Sequence, residues 1–407
     1  MSEISLPPAD PSTSISLEAW KRLLAKLDDA TESICSPTGA RTPQERAEGF
    51  RYLTRLLSAG IDMHLEHADS ARPSFTRMLT PTRKFLGDNP DTHYDYVSLD
   101  GSRAYLLRGT RGSSVYLAFC THNKKPDGSP SLGVNLSDSD MQFEDDGSFE
   151  IVLSAEKPDV APNWIQLAPE TSSMIIRHYY QDQYHEQPAR YAIEVLPETP
   201  PLLPYTENEL AERLDAVGKF VTETSSMAAT ISVLAALNTV SGDNTEEYAA
   251  LKVVDGELEP GNTISAQELA SSIDPEIISR HLPTPDIQYT GAWWRLREGE
   301  VLIVEGTPPP CRYWSVQILN RWMESPDYRH LQVSLNNHQV TLDPDGFFRI
   351  GVAAEDPGMP NWIHTAGHSE GQVAFRALMA EGPLEIKFRV AKISELHGSS
   401  ITRTQRG

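Results

Sequence analysis

The densest group of polar side chains in the sequence spans residues 87 to 95. Asp88 and Asp91 bring two carboxylates, and Asn89 and Tyr94 add an amide and a phenol. Paired carboxylates can serve as general acid and general base, and with an amide they can also hold a cation. The Asn-Pro-Asp sequence is equally typical of a turn whose side chains bond to backbone amides. Asp88 and Asp91 are therefore candidate catalytic residues, Asn89 and Tyr94 are candidate substrate-binding residues, and a plain turn is the alternative.

A second polar group lies between Pro360 and His368. His368 is a candidate catalytic base, because imidazole changes its charge near neutral pH. Asn361 in the same stretch is a candidate substrate-binding residue. The alternative for His368 is a surface or capping role beside a glycine turn. If Asp88, Asp91 and His368 serve one site, the fold must bring them together from distant parts of the chain.

Two further groups could line a binding site. The first mixes aromatic and charged side chains after a predicted strand, and it consists of Trp322, Glu324, Tyr328 and Arg329. This mixture suits the wall of a small-molecule pocket, although it is also ordinary loop composition. The second is Arg376 in an apolar, strand-like run. A guanidinium there either pairs with a buried carboxylate, for which Glu355 is a candidate, or points into a cleft.

No metal or organic cofactor is predicted. His64 and His67 are three residues apart on one helical face, but the sequence shows no third ligand for a metal. The chain has no phosphate-binding loop, no glycine fingerprint for a dinucleotide and no nucleophile elbow. The histidine pair therefore stays without an assigned chemistry.

The composition limits the partners of this protein. The formal net charge is −22, which disfavours nucleic acid and anionic membrane surfaces. No stretch approaches the roughly 18 apolar residues of a membrane span, and the first residues do not resemble a secretory signal. The sequence contains three cysteines that lie far apart. This number and spacing favour free thiols in a reducing compartment. We expect a cytoplasmic protein with a small-molecule ligand, for which an oligomer is possible.

Helices are predicted before and between two β-rich regions. Thr42 and Glu45 form a capping box with Pro43 at the first helical position, and Thr206 with Glu209 forms a second box. A short helix is also expected at 265–270. Alternating runs broken by Gly, Asp and Pro predict the strands. The predicted domains are a helical region (1–88), a first β module (89–200), a helical linker (201–285), a second β module (286–396) and a flexible tail (397–407).

The two β-rich regions repeat each other. Residues 134–156 match residues 333–355 at a constant offset, and Pro162 to Ile165 repeats the same four residue types as Pro360 to Ile363. A tandem duplication explains both matches. Modules of this size with short strands are usually β-sandwiches or jelly rolls. The predicted fold is therefore α+β, mainly β, with two related sandwich or jelly-roll modules that superpose Trp164 on Trp362.

Three stretches of the chain resemble a known family. They run from Thr80 to Thr92, from Asn320 to Arg329 and from Asp356 to His368. Together they are similar to the bacterial family called domain of unknown function 1214, which is often found beside family 1254. The resemblance covers most of the chain and implies paired β-sandwich modules of jelly-roll type. It implies no particular chemistry, and no residue role is carried over from it.

Two kinds of function are compatible with these features. We expect a cofactor-free lyase, isomerase or hydrolase that uses carboxylate and histidine chemistry on a neutral or apolar substrate, in a cleft between the modules. The alternative is a non-catalytic ligand-binding or assembly protein, because a sandwich fold does not by itself imply catalysis. Carboxylates and a histidine converging in a closed pocket would favour the enzyme.

Overall fold

The structure is a computed structural model that describes residues 14–199, 201–236, 239–242, 250–254, 257–261 and 285–398. The α-helices within these residues are α1 (Ile15–Asp29), α2 (Glu32–Cys35), α3 (Pro43–Ile61), α4 (Glu207–Ala236) and α5 (Ile393–Gly398). A π-helical turn at Asp62–Glu66 directly follows α3. In this part of the chain, no helix is long and apolar enough to cross a membrane.

The first β-rich region is a sandwich of two sheets, here called the first module. Its strands are β1 (Thr76–Arg77), β2 (Thr92–Ser98), β3 (Ala104–Thr110), β4 (Tyr116–Lys124), β5 (Pro130–Ser137), β6 (Ser148–Ser154), β7 (Trp164–Gln166), β8 (Thr171–Tyr179) and β9 (Arg190–Leu196). One sheet has the order β1-β2-β8-β4-β5 and the other β7-β6-β3-β9. Leu107, Phe119 and Ile151 are among the apolar side chains that fill the space between the sheets. Buried and accessible positions alternate along β6, as expected for a strand with one face on a core.

The region between the modules is not only helical. Besides α4 it contains β10 (Thr239–Val240), β11 (Ala250–Val254) and β12 (Glu257–Gly261). The last two strands pair as an antiparallel hairpin, and β10 joins the sheet of the following module. The helix expected at 265–270 lies outside the described residues, and so does the tail from residue 399.

The second module repeats the first. Its strands are β13 (Ile287–Arg295), β14 (Glu300–Gly306), β15 (Tyr313–Leu319), β16 (Ser334–Asn336), β17 (Phe348–Ala353), β18 (Trp362–His364), β19 (Glu370–Leu378) and β20 (Ile386–Lys392). The sheet orders β13-β19-β15-β16 and β18-β17-β14-β20 match those of the first module strand for strand. Trp164 and Trp362 occupy equivalent places in the parallel pairs β6–β7 and β17–β18. The predicted duplication is therefore confirmed.

The two modules meet through the outer faces of the sheets that contain β4 and β15. Tyr116, Tyr179 and Tyr313 pack together there, and the rings of Tyr179 and Tyr313 are 5.3 Å apart, edge to face. Strand β4 therefore has no face toward solvent over most of its length, since one face lies in the sandwich core and the other in this interface or against the helices. A strand buried on both faces can bring polar side chains into an interior site.

The helices are held by the predicted caps and by apolar contacts. Thr42 Oγ1 accepts from the amide of Glu45, and the Glu45 carboxylate accepts from the amide of Thr42, so the first capping box is confirmed. At α4, Thr206 accepts from the amide of Glu209 at 3.2 Å, but the Glu209 carboxylate bonds to Arg213 instead. Helix α4 packs against α1 and α3, which places it opposite the outer face of the first module.

Candidate functional site

A cavity of about 780 Å³ lies between the first module and the helices. One wall is formed by β2, β4 and β8, and the opposite wall by α4, the π-helical turn and the segment that includes Phe85 and Leu86. No residue of the second module lines it. The cavity is therefore not the predicted cleft between the modules, because α4 and the π-helical turn cover the first module's outer face and leave this space beneath them.

The interior of the cavity is mainly apolar. Its buried or half-buried apolar lining includes Met63, Met78, Phe85, Ile175, Phe220 and Met227. Methionine side chains adapt to ligands of different shape, and aromatic side chains offer large contact areas. The volume falls within the roughly 300–1,000 Å³ that is usual for small-molecule sites.

His64 projects into this cavity from the π-helical turn. Its ring lies 6.1 Å from the ring of Tyr96, edge to face, and 5.3 Å from the ring of Phe220. Burial, with a smaller contribution from the charge of Lys124, lowers the pKa of His64 to about 4. The imidazole is therefore neutral at physiological pH. π-Helical turns often occur at functional sites, which fits this position.

His122 enters the same cavity from β4. Its side chain is almost completely buried, with 1% of the residue surface exposed. Nε2 lies 4.0 Å from the Cys120 sulfur, whereas Nδ1 finds no hydrogen-bond partner among the described residues. Burial lowers the pKa of His122 to about 3, with a further contribution from the charge of Arg177. A buried nitrogen without a partner costs stability, and this atom has almost no accessible surface toward the cavity.

The backbone around His122 is irregular. The pairing of β4 with β5 shifts its register between Cys120 and His122, and the pairing of β4 with β8 shifts between His122 and Asn123. Such irregularities are frequent beside functional sites, where they change the direction of a side chain. In the second module, Leu319 occupies the position of His122, as the equivalent pairs His122–Ser173 and Leu319–Gln372 show. The histidine is thus specific to the first module.

The mouth of the cavity carries charged side chains. Lys124 and Glu223 are exposed, and Lys219 lies beside them with its Nζ donating to the carbonyl oxygen of Asp127 at 3.0 Å. Lys219 Nζ is 3.6 Å from the Glu223 carboxylate. The charged lining residues are Lys124, Arg213, Lys219 and Glu223. Positive charge therefore predominates at this opening, although the chain as a whole is strongly acidic.

Comparison with known proteins identifies the family. The model of the family described as "Protein of unknown function (DUF1214)" matches residues 94–183 and 298–382. The crystal structure of an uncharacterised protein from Burkholderia cenocepacia is 32% identical, with a TM-score of 0.78, over 94% of this chain and 98% of that one.

The chain belongs to the DUF1214 family.

The two matched regions correspond to the two modules, so the first match contains the sheet that forms one wall of the cavity. The VPA0106 protein from Vibrio parahaemolyticus is 12% identical over 90% of this chain and all of that one, with a TM-score of 0.45. No curated protein matches the sequence. The family assignment therefore supports the fold and leaves the function to be argued from the site.

None of the catalytic or substrate-binding candidates named from the sequence lines the cavity. Asp88 is buried, and its carboxylate accepts from the amide of Ser325 at 2.8 Å and from the Ser325 hydroxyl at 2.6 Å. Asn89 and Asp91 form the expected turn, in which Asn89 accepts from the amide of Asp91 at 3.1 Å. The Asp91 carboxylate also accepts from the Tyr313 hydroxyl at 2.7 Å. These residues join the first module to the second.

Asp91 has a counterpart in the second module. Asp286 precedes β13 as Asp91 precedes β2, and it accepts a hydrogen bond from Tyr116, just as Asp91 accepts one from Tyr313. Tyr116 and Tyr313 begin the equivalent strands β4 and β15. Burial raises the pKa of Asp91, and its hydrogen bonds partly oppose that effect. The reciprocal pairs indicate that this carboxylate holds the modules together.

His368 contacts the N-terminal helices. Its Nε2 lies 2.9 and 3.0 Å from the two carboxylate oxygens of Glu48 on α3. Burial is the largest single effect and lowers the pKa of His368, but the hydrogen bond and the charge of Glu48, with smaller contributions from Thr365 and Glu45, together outweigh it and raise the pKa overall. The described hydrogen bonds of His368 do not include Asp88 or Asp91. A site shared by the three residues stays a prediction.

Trp322 and Glu324 lie beneath α3. The indole of Trp322 is fully buried and donates to the carbonyl oxygen of Glu45 at 2.9 Å. Glu324 is also buried and forms an ion pair with Arg55. Burial raises the pKa of Glu324 to about 7, against the opposing effect of Arg55. Both side chains therefore contribute to the contact between α3 and the second module.

The remaining candidates also contact other parts of the chain. Asn361 donates to the carbonyl oxygens of Thr341 and Arg349 and so links a loop to β17, as the repeated Asn163 links a loop to β6 in the first module. Arg376 donates to the carbonyl oxygen of Gly87 at 3.3 Å, whereas its suggested partner Glu355 is exposed.

The last three candidates pair with neighbouring charges. The ring of Tyr328 lies 4.1 Å from Lys84 Nζ, the ring of Tyr94 lies 6.0 Å from the Arg177 guanidinium, and Arg329 forms an exposed pair with Asp327.

Sequence reasoning found one of the two cavity histidines and missed the other. His64 was noticed only as a possible metal ligand with His67, which instead bonds to Ser74 at 2.8 Å. Among the described residues, no group of three or more His, Cys, Asp or Glu side chains could hold a metal ion. His122 lies between Thr121 and Asn123 in the polar half of β4, so its sequence context gave no signal that the side chain is buried.

Proposed function

We propose that this protein binds a small, largely apolar molecule in the cavity between the first module and the helices, without acid–base catalysis. The observation that carries this proposal is the cavity itself, a space of about 780 Å³ whose interior is mainly apolar. Such a space is suited to a ligand that buries most of its apolar surface and keeps its polar group near the charged mouth.

The histidines of the cavity are poor acid–base catalysts. A general base works best when its pKa lies near the working pH. The pKa values of His64 and His122 are lowered to about 4 and about 3, so both are neutral and weakly basic at pH 7. The carboxylate in the lining belongs to Glu223, which is exposed at the mouth and close to Lys219. These features support the non-catalytic alternative.

The second candidate function is that of a lyase, isomerase or hydrolase, and the residue that favours it is Glu324. A carboxyl group whose pKa is raised to about 7 is suited to proton transfer at neutral pH. Its use would require a substrate to reach a side chain that is 3% exposed and paired with Arg55. Binding in the cavity needs no such rearrangement, which is why we place it first.

We also place the protein in a reducing compartment such as the cytoplasm. Cys35, Cys120 and Cys311 are all free, and the last two are buried or half-buried. Free cysteines persist in compartments that keep thiols reduced.

Isothermal calorimetry with decanol tests the proposed binding. We expect saturable one-to-one binding and a tenfold or greater loss of affinity in Ser226→Trp, because Ser226 lies at the mouth of the cavity on α4. Asn208→Trp is the matched control, since Asn208 is exposed on the same helix and does not line the cavity. Absence of binding, or equal loss in both variants, would contradict the proposal.

A further inference from the structure

We propose that the ligand is a phenol, an aromatic molecule with a hydroxyl group on its ring, and that His64 accepts the hydrogen bond of this hydroxyl. The aromatic part lies among the rings and methionine side chains that line the cavity. This inference rests on the proposed binding function and specifies the chemistry of the molecule bound.

His64 presents the polar atoms of its ring to the cavity. Its side chain is half-buried and belongs to the lining. Among the described residues, neither ring nitrogen of His64 has a hydrogen-bond partner. In contrast to Nδ1 of His122, these nitrogens are not closed off from accessible space. The ring of His64 is therefore open to a hydrogen bond from a bound molecule.

The imidazole of His64 is neutral and suited to a neutral donor. Burial, with a smaller contribution from the charge of Lys124 at the mouth, lowers the pKa of His64 to about 4. A neutral imidazole has one N–H donor and one acceptor nitrogen. A phenol, with a pKa of about 10, is uncharged at pH 7, and its greater acidity makes it a stronger donor than an aliphatic alcohol. It can therefore donate to His64 without bringing a charge into the apolar space.

Aromatic rings surround His64 on the helical side and on the sheet side. The rings of Tyr96 and Phe220 lie 6.1 and 5.3 Å from the imidazole, and the ring of Phe85 lies 5.6 Å from that of Phe220. These three aromatic residues line the cavity, and so do Met63, Met78 and Met227. A ligand ring gains edge-to-face and sulfur–aromatic contacts here in addition to the burial of its apolar surface. An aliphatic chain gains only the burial.

Isothermal calorimetry on the full chain at pH 7 compares three molecules that share one carbon skeleton. 2-Naphthol has both the aromatic rings and the hydroxyl, 2-methoxynaphthalene has the rings without the O–H donor, and decahydro-2-naphthol has the hydroxyl without an aromatic ring. We expect 2-naphthol to bind at least about fivefold more tightly than either of the others, because each of them lacks one of the two interactions.

His64→Phe removes the acceptor nitrogen and keeps an aromatic ring of similar size. The variant should fold like the wild type, because no described residue is hydrogen-bonded to the ring nitrogens of His64. In this variant, 2-naphthol should lose at least about fivefold in affinity and bind no more tightly than 2-methoxynaphthalene. His330→Phe is the matched control, since His330 is exposed on the second module and does not line the cavity. It should leave the affinity of both molecules unchanged.

The outcomes separate this inference from the proposed function. If 2-methoxynaphthalene binds the wild type as tightly as 2-naphthol, or if 2-naphthol keeps its advantage in His64→Phe, the hydrogen bond to His64 is wrong. If decahydro-2-naphthol binds as tightly as 2-naphthol, the aromatic class is wrong. In these cases the cavity still binds ligands, and the proposed function stands. If neither these molecules nor decanol bind, the proposed function itself fails.

Discussion

Replacing His122 with leucine should make the protein more stable. Leucine is the residue at the equivalent position of the second module, Leu319 on β15. The substitution removes a buried nitrogen that has no partner, and leaving such a group unpaired costs about 1–3 kcal/mol. After allowance for imperfect packing of the new side chain, we expect a gain of about 1 kcal/mol at pH 7.

The gain in stability of His122→Leu over the wild type should increase as the pH falls. The pKa of His122 is lowered from 6.5 to about 3 in the folded protein, so between these values the unfolded chain binds a proton that the folded chain does not. Wild-type stability therefore falls as the pH decreases from about 6.5. A variant without this histidine does not show that loss. The linkage relation gives an additional difference of about 1.3 kcal/mol between pH 7 and pH 5.5.

The assay is urea unfolding of both proteins at pH 7.0 and pH 5.5. His93→Leu is the matched comparison, because His93 also has a buried Nδ1 without a described partner and a pKa lowered by burial to about 4. It should show the same direction of pH dependence. If His122→Leu destabilises the protein at both pH values, or if its effect does not change with pH, the reasoning is refuted.

Three further changes test the contacts that assemble the molecule. His368→Ala should lower the free energy of unfolding by about 1–3 kcal/mol near pH 6. The loss should be smaller above the raised pKa of the histidine, because the wild-type imidazole is then uncharged as well. Urea unfolding at pH 6 and pH 8.5 measures this difference. Tyr313→Phe should cost about 1–2 kcal/mol by removing a hydrogen bond to the buried Asp91, which thermal unfolding would detect. Gly49→Ala should cost about 1–3 kcal/mol, because the new methyl group would lie 2.7 Å from the Trp322 ring, and an unchanged unfolding midpoint would contradict this contact.

The His368 prediction differs from what the sequence alone indicates. A histidine near a glycine turn is expected to be dispensable for stability, with an effect below about 1 kcal/mol. The side chain is instead only 10% exposed and bonded to Glu48, so its removal leaves a carboxylate without its main partner. The burial of this pair depends on how α3 docks on the second module, which local sequence does not encode.

The tandem repeat could be predicted because it depends on local sequence patterns. Alternation of apolar residues, turn residues and the repeated Pro-Asn-Trp-Ile words are present in the chain whatever its tertiary structure. The Thr42 cap was predictable for the same reason, since a capping box involves residues only three apart. Each module also forms a complete sandwich of its own, and the two modules have the same strand order.

The location of the cavity was decided only by the tertiary structure. The helices could have covered the outer sheet of either module. His64 and His122 line one cavity because α4 and the π-helical turn pack over β2, β4 and β8. The same packing sets their pKa values, because burial, rather than any neighbour in sequence, dominates both shifts. Sequence supplied the identities of the two imidazoles, and the docking of distant elements determined that both are neutral and line the same cavity.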